Sequence, residues 1–239
     1  MTSPRPKIIC KLNYSANFGV FRFKSLMMSH PQIIYEDDVL LVCNKTAGLM
    51  VEPDRNNFPN LLQQVKQYLK ETTNDKLPYV QHLHRLDRPV SGIVLFTKKK
   101  EHLRNLSEQF AQRTVSKYYT ALTDKLPEQS TGVLEHWHRK EKKKAVLVSE
   151  GTEFSEYVKL EYTVNSHGAN FLWDIKLHTG KFHQIRAQLA SLGCPILGDN
   201  LYDSTELYTP NAIALHAAKL VIQHPVSHQQ MVFESDSDF

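Results

Sequence analysis

The chain has 239 residues, of which 41% are hydrophobic, 23% charged and 10% aromatic, a length and composition that favour a folded protein with a sizeable core. No long uncharged apolar run occurs in the sequence, which argues against a membrane-spanning helix. The net charge of +4 permits nucleic-acid binding without requiring it, because the effect of charge depends on how it is clustered.

The cysteines and the first residues bear on cellular location. Cys10, Cys43 and Cys194 are odd in number and widely spaced, which favours reduced thiols over a disulfide framework. Residues 1–30 contain basic positions but no continuous apolar stretch, so no secretory signal is predicted there. We therefore expect a cytoplasmic protein, with residues 1–30 as an irregular N-terminal extension and residues 31–239 as one domain.

The first half of that domain shows both strand and helix patterns. A helix is predicted after Asn60, whose side chain can cap it, because apolar residues recur there at helical spacing. A second helix is predicted around Leu103, Leu106 and Phe110. Short β-branched and aromatic runs predict strands at 33–35, 39–42, 92–96 and 115–122.

The second half is richer in strands. Residues 124–143 are turn-rich and basic, and they are predicted to be a connecting region. A helix is expected over about 181–192, closed by Gly193. Strands are predicted near 144–149, 157–164, 171–178 and 212–222. With no internal repeat or Gly/Ser-rich linker in the sequence, the simplest fold class is one continuous α+β domain.

A single carboxylate stands out in a polar turn before the predicted strand at 92–96. Asp87 is flanked by Arg85 and Arg88, and nearby cations favour the ionised form of a carboxylate. An ionised carboxylate on a loop that a strand holds in place is a candidate nucleophile or base. A salt-bridged surface turn is the alternative interpretation.

The predicted helix at 181–192 carries a second candidate, Arg186. It lies at the edge of an apolar stripe, where a guanidinium is partly desolvated and needs an anionic partner. Asp87 and Asp199 are the candidate partners, unless Arg186 lies at the surface with its stem packed down. The stripe consists of Phe182, Ile185, Leu189 and Leu192.

Five segments of the chain, in order from about residue 32 to residue 225, resemble motifs of the RluA-type RNA pseudouridine synthases. Three of them are His84-Arg85-Leu86-Asp87, Lys117-x-Tyr119-x-Ala121, and Thr179 to Arg186 followed by Gly193 to Asp199. The opening strands (35–49) and the closing strand (215–225) supply the other two. Thr46, Lys181 and Phe182 depart from the usual pattern. Arg88-Pro89 is similar to the TruC-like tRNA branch, and no small RNA-binding module is expected before residue 32.

The resemblance implies a fold, a reaction and a set of site residues. The fold is a mixed, mainly antiparallel sheet flanked by helices, with a central catalytic cleft. The reaction is the isomerisation of specific uridines in tRNA or rRNA to pseudouridine, without cofactor or metal, by a monomeric protein that binds RNA and no membrane. The implied catalytic residues are Asp87, Tyr119 against the uracil, and Arg186 paired with Asp87. The implied RNA-binding residues are Arg85, Lys117 and Lys181.

Other functions remain open from the residues alone. The chain could be an RNA-binding or RNA-folding protein without turnover, or a nucleoside or glycoside hydrolase, although a retaining glycosidase needs a second acidic residue. The pairs His82/His84 and His136/His138 could bind a metal, but no Cys or acidic partner stands at ligand spacing, and packing roles are favoured. A hydrogen bond that stabilises its helix is the expected role of His183. The basic runs 98–100 and 139–144 would either follow RNA phosphates or form solvated loops.

Overall fold

The computed structural model describes residues 30–55, 58–73 and 75–239. The predicted irregular extension, up to residue 29, and Cys10 lie outside these ranges. The helices are α1 (Leu61–Thr72), α2 (Lys100–Ala111) and α3 (Gln184–Ser191), and one 3-10 turn covers Asn200–Tyr202. The strands are β1 (Gln32–Glu36), β2 (Leu40–Lys45), β3 (Gln81–His82), β4 (Ser91–Thr97), β5 (Ser116–Thr123), β6 (Thr131–Glu141), β7 (Lys144–Val148), β8 (Glu156–His167), β9 (Asn170–Leu177), β10 (Leu215–Gln223) and β11 (Gln230–Glu234).

The strands of the described ranges join in one mixed sheet. Its order is β1-β2-β4-β10-β5-β9-β8-β6-β7, with β11 beside β10 and β3 beside β4. Strand β10 runs parallel to β4, and the other paired strands run antiparallel. The single parallel contact joins the strand that follows the Asp87 loop to the central strands β10 and β5.

Strands β2 and β4 are buried on both faces, which explains their nearly continuous apolar sequences. Successive side chains of a strand point to opposite faces, so Leu41 and Val94 join the core cluster that also contains the apolar residues of α1. Leu40 and Ile93 join the cluster that contains Leu106 of α2. The two helices therefore cover opposite faces of this part of the sheet.

Most of the predicted elements are confirmed. The side chain of Asn60 accepts a hydrogen bond of 3.0 Å from the backbone N–H of Gln63, as expected for the cap of α1. The strands predicted on either side of residue 37, and those at 92–96, 115–122, 144–149, 157–164 and 171–178, are present within a few residues. Cys43 and Cys194 are buried free thiols, in agreement with the prediction.

Three predictions need correction. Residues 131–141 form β6 rather than a connection, because the polar residues of this strand alternate with inward-facing positions such as Leu134 and His138. Helix α3 begins at Gln184, after the turn, and ends at Ser191, so Phe182 precedes it and Leu192 follows it. Both side chains are more than a third exposed. The last predicted strand begins at 215 instead of 212, and it is followed by β11, which the sequence pattern did not reveal.

Gly92 makes the parallel contact between β4 and β10 possible. Its backbone has a φ of +114°, and a methyl group at this position would lie 2.5 Å from both the N and the O atom of Ala217. Any side chain larger than hydrogen would push the two strands apart at the base of the Asp87 loop.

We predict that Gly92→Ala lowers the free energy of unfolding by at least about 3 kcal/mol, because steric overlap adds to backbone strain. Gly151→Ala is the matched control, since Gly151 also has a positive φ (+79°) but, apart from its neighbours in the chain, no atom of the described residues lies within 4 Å of the added methyl group. The free energy of unfolding of the control should fall by about 1 kcal/mol, from backbone strain alone. Denaturant titration of both variants measures the difference, and equal losses would contradict the steric explanation.

Candidate active site

The loop that carries Asp87 is fixed on two sides by hydrogen bonds to backbone carbonyls. The N–H of Gly48 donates to the carbonyl of Arg88 at 2.8 Å, and Nε of Arg88 donates back to the carbonyl of Gly48 at 3.0 Å. On the other side, the N–H of Ile213 donates to the carbonyl of Pro89 at 3.1 Å. The carboxylate of Asp87 is therefore presented from a short, restrained segment.

Lys45 supports the same loop from beneath. Its fully buried ammonium donates to the carbonyls of Thr46 (3.1 Å), Leu49 (2.8 Å) and Arg88 (3.2 Å). Burial lowers the pKa of Lys45 to about 7, and the nearby charge of Asp87 opposes that shift. One side chain thus ties the end of β2 to the Asp87 loop.

Arg186 is the buried centre of the site. Its Nε and Nη2 donate to the two carboxylate oxygens of Asp199, each at 2.7 Å, and its Nη1 donates to Oδ2 of Asp87 at 3.1 Å. The side chains of Arg186 and Asp199 are 5% and 1% exposed, whereas that of Asp87 is 28% exposed. Both predicted partners of Arg186 are therefore present, one fully buried and one facing the solvent.

His183 completes the contacts of Arg186. Its Nε2 lies 2.8 Å from Nη1 of Arg186 and 3.4 Å from Oδ2 of Asp87. A guanidinium can only donate, so Nε2 acts as the acceptor and Nδ1 carries the proton toward the hydroxyl of Tyr202, 3.1 Å away. Burial lowers the pKa of His183 to about 4, which agrees with a neutral ring.

This arrangement corrects the role expected for His183. It is the residue before α3, in the left-handed conformation with a φ of +51°, and its side chain makes no cap hydrogen bond. Its ring instead bridges the Arg186–Asp87 pair and Tyr202. The hydroxyl of Tyr202 also accepts from the N–H of Ala145 at 2.7 Å, so β7 is joined to the site.

The six residues predicted for catalysis and RNA binding line one cleft of about 500 Å³. Asp87 is the only carboxylate among the described residues that line it, and Asp199 lies behind Arg186. A glycosidase with two carboxylates facing its substrate is therefore disfavoured. The predicted residues in the cleft are Arg85, Asp87, Lys117, Tyr119, Lys181 and Arg186.

The predicted residues differ in their surroundings. Arg85 is exposed and forms an ion pair with Glu52, while Lys181 pairs with Glu156. Tyr119, on the wall beside Asp87, has its pKa raised by burial and by the charge of that carboxylate. Its hydroxyl therefore keeps its proton at neutral pH.

Four basic residues of the two runs make ion-pair or cation–π contacts with the protein. Lys98 pairs with Glu36 at 2.7 Å and Lys144 with Asp203 at 3.6 Å, whereas Lys140 lies 4.5 Å above the ring centroid of Phe182. Within the described ranges, no group of three or more His, Cys, Asp or Glu residues could hold a metal ion. In the same ranges, no helix has the length and hydrophobicity needed to cross a membrane.

Lys45 and Tyr202 are parts of the site that the sequence motifs did not indicate. Lys45 lies within the opening segment that resembles known motifs, so that segment held a usable signal. Tyr202 follows Asp199 by three residues, but its contacts to Ala145 and His183 depend on the tertiary fold alone.

The sequence is similar to those of known proteins. A family model described as RNA pseudouridylate synthase matches residues 39–191. The dual-specificity RNA pseudouridine synthase RluA of Escherichia coli is 31% identical over 213 residues, covering 87% of this chain and 93% of that protein. The protein of the same name from Haemophilus influenzae is 31% identical over 214 residues, with the same two coverages.

Solved structures share the fold. Human RNA Pseudouridylate Synthase Domain Containing 4 superimposes with a TM-score of 0.71 at 23% identity, covering 90% of each chain. Human RNA Pseudouridylate Synthase Domain Containing 1 gives the same TM-score at 21% identity, covering 90% of this chain and 85% of that one.

We predict that Asp199→Ala lowers the free energy of unfolding by about 3–5 kcal/mol, because it leaves Arg186 buried without its principal partner. Glu108→Ala is the control, since it removes a carboxylate from an exposed pair with Arg104 and should cost no more than about 0.5 kcal/mol. Denaturant unfolding compares the two variants, and a loss below 1 kcal/mol (roughly the value of a surface pair) for Asp199→Ala would contradict the prediction.

We also predict a pH dependence from His183. Because its pKa is about 6.5 when unfolded and about 4 when folded, the folded state binds fewer protons between these values. The contribution of His183 to the free energy of unfolding is therefore fully present above pH 6.5. It is lost as the pH drops toward 4, which lowers the free energy of unfolding by up to about 3 kcal/mol.

Urea unfolding at several pH values tests this effect. His183→Gln should flatten the acid side of the stability curve, whereas His167→Gln, at an exposed position at the end of β8, should leave the curve unchanged. Parallel curves for wild type and His183→Gln would show that His183 does not titrate in this way.

Proposed function

The chain belongs to the RluA-type family of RNA pseudouridine synthases, which are isomerases, and we propose that it converts specific uridines of tRNA or rRNA to pseudouridine through Asp87. The pseudouridine synthase fold expected from the sequence motifs is confirmed by the two human structures. The observation that carries the proposal is the contact between Asp87 and Arg186 in a cleft that also contains Tyr119.

The reaction requires a carboxylate at the ribose. Pseudouridine formation breaks the bond between C1′ and N1, turns the uracil and joins it again through C5, with a proton lost from C5 and one gained at N1. Asp87 can either add to C1′ or remove a proton from C2′, and both routes use an ionised oxygen. Oδ2 of Asp87 accepts from Arg186, so Oδ1 is the oxygen left for the sugar.

Tyr119 suits the freed base. Its ring offers a flat apolar surface on the cleft wall, where a detached uracil can turn without leaving the site. Its protonated hydroxyl can hydrogen-bond to the base and can relay the C5 proton. In this proposal Arg186, itself bonded to Asp199 and His183, holds Asp87 in place while Tyr119 retains the uracil.

Entry of the target uridine requires that it leave its stack, which costs about a few kcal/mol. Arg85 is the proposed residue that takes the place of the extruded base, because it is exposed at the mouth of the cleft. Its ion pair with Glu52 lies near the surface, where such pairs contribute only about 0–1 kcal/mol, so RNA can displace it at little cost. Lys117 and Lys181 are the further proposed RNA contacts.

We also propose the cellular setting of the reaction. Residues 31–239 act as the catalytic domain of a cytoplasmic protein that works as a monomer on tRNA or rRNA and binds no membrane. Neither a cofactor nor a metal takes part.

We predict that Asp87→Asn lowers tritium release from RNA labelled at C5 of uridine by at least about a thousandfold, because it removes the reacting carboxylate oxygen. RNA affinity should stay within about threefold of wild type, since the amide is nearly isosteric and the energy difference is below 1 kcal/mol. Unmodified tRNA and rRNA transcripts serve as substrates, and Asp174→Asn, at an exposed position on β9, is the control that should retain full release.

The outcomes separate the alternatives. Retained tritium release by Asp87→Asn would contradict the assignment of Asp87. Release of free uracil by the wild-type protein would indicate a hydrolase. Binding of RNA by the wild-type protein without release from any transcript would indicate an RNA-binding protein without turnover.

A further inference from the structure

Lys117 is a partly buried cation without a carboxylate partner. Its Nζ donates to the carbonyl of Thr179 at 3.2 Å, and no Asp or Glu of the described ranges lies within ion-pair distance of it. Burial, and then the positive charge of Arg113, lower the pKa of Lys117. Arg113 is exposed and likewise has no ion-pair partner in the described ranges. Two neighbouring cations in one wall of the cleft therefore have no carboxylate partner in the described ranges.

Three other basic residues around the cleft do have carboxylate partners. Arg85 pairs with Glu52, Lys181 with Glu156, and Lys159 with Glu135. A desolvated cation normally has an anionic partner, because burial without one is costly. The missing partner of the partly buried Lys117 is best supplied by a ligand, and the exposed guanidinium of Arg113 adds positive charge beside it.

The position of Lys117 indicates what that ligand is. Lys117 and Tyr119 project from the same face of β5, two residues or about 7 Å apart along the strand. A group held by Lys117 would therefore lie beside the base held by Tyr119. In an RNA strand, the anionic groups that accompany a base are its backbone phosphates.

A second groove adjoins the cleft at Arg113 and leads away from Asp87. Arg113 and Thr179 also line a groove of about 340 Å³ whose wall includes Tyr157, Lys159 and Lys176. The carboxylate in this groove, Glu161, is bonded to His178 at 2.7 Å. The groove thus offers a cationic and aromatic path out of the cleft.

We propose that Lys117 and Arg113 form a phosphate subsite for the nucleotide next to the target uridine, and that the RNA strand leaves the cleft over this subsite into the adjacent groove. The inference rests on the proposed function, because it assumes that the target uridine lies against Tyr119. The alternative route passes over the β6–β7 hairpin, which carries exposed Lys142 and Lys143.

Gly180 keeps the subsite open. A methyl group at this position would lie 2.6 Å from Nζ of Lys117; apart from the neighbours of Gly180 in the chain, the only other atom of the described residues within 4 Å is Cε of the same lysine. The end of a lysine side chain can move, so Gly180→Ala displaces the ammonium without a clash against the backbone. This variant tests the position of the charge while leaving the charge itself in the protein.

The experiment measures the affinity for a fluorescein-labelled single-stranded oligouridylate by anisotropy, from about 50 to 200 mM KCl. Lys117→Met should raise the Kd about tenfold or more and reduce the slope of log K against log salt by about 0.7, the value for one phosphate contact to a single strand. Arg113→Gln should act in the same direction. Gly180→Ala should raise the Kd about threefold or more without changing the Tm, a shift of at least about 0.65 kcal/mol.

Two controls complete the design. Lys66→Met removes an exposed lysine from α1, which is not part of the cleft, and should leave the Kd and the salt slope unchanged. Lys143→Ala removes a charge from the hairpin route and should change the Kd less than Lys117→Met does. Tritium release by the same proteins is measured in parallel.

The results distinguish this inference from the proposed function. If the wild type releases tritium but Lys117→Met and Arg113→Gln keep its Kd and salt slope, the subsite is wrong and the function stands. If the affinity changes occur as expected but the wild type releases no tritium, the proposed function fails while the phosphate contact stands. A lower Tm for Lys117→Met together with an unchanged Kd for Gly180→Ala would show a structural role and overturn the subsite, and so would a larger effect of Lys143→Ala.

Discussion

The bridge that Arg186 makes between two carboxylates is the constraint on which the site depends. A guanidinium buried to this degree needs hydrogen-bond partners for its N–H groups. Asp199 accepts two parallel bonds of 2.7 Å from Nε and Nη2. The remaining donors on Nη1 are then directed to Asp87 and His183. One carboxylate therefore holds the arginine in place, and the arginine in turn holds the carboxylate that faces the cleft.

The rest of the fold keeps Asp87 within reach of that bridge. Lys45 and Gly48 hold one side of its loop, and the parallel contact at Gly92 brings β4 against β10 and so places Asp87 near β5 with Tyr119. The cleft then combines one carboxylate, that of Asp87, with several cations and an aromatic ring. This composition suits an anionic strand that presents a single base, and it disfavours reactions that need two acidic groups.

Much of the fold could be predicted from the sequence, because strand and helix patterns are local. Continuous apolar runs indicated β2 and β4, and Asn60 before a helical repeat indicated the start of α1. The prediction failed at β6, where charged residues on the exposed positions obscured the alternation that buries Leu134 and His138. It also failed at the start of α3, because Phe182 continues the apolar stripe but precedes the helix.

The site, like the fold, could be predicted from the sequence only in part. The sequence by itself determined the chemical types and their motifs: a carboxylate at 87, a tyrosine at 119 and an arginine at 186, together with two candidate acidic partners for that arginine. Only the tertiary structure decided that both partners bind Arg186 at once, that His183 accepts from it, and that Lys45 and Tyr202 support the group. The reason is distance along the chain: Asp87 and Arg186 are 99 residues apart and Tyr202 and Ala145 are 57 apart, so no local pattern encodes these contacts.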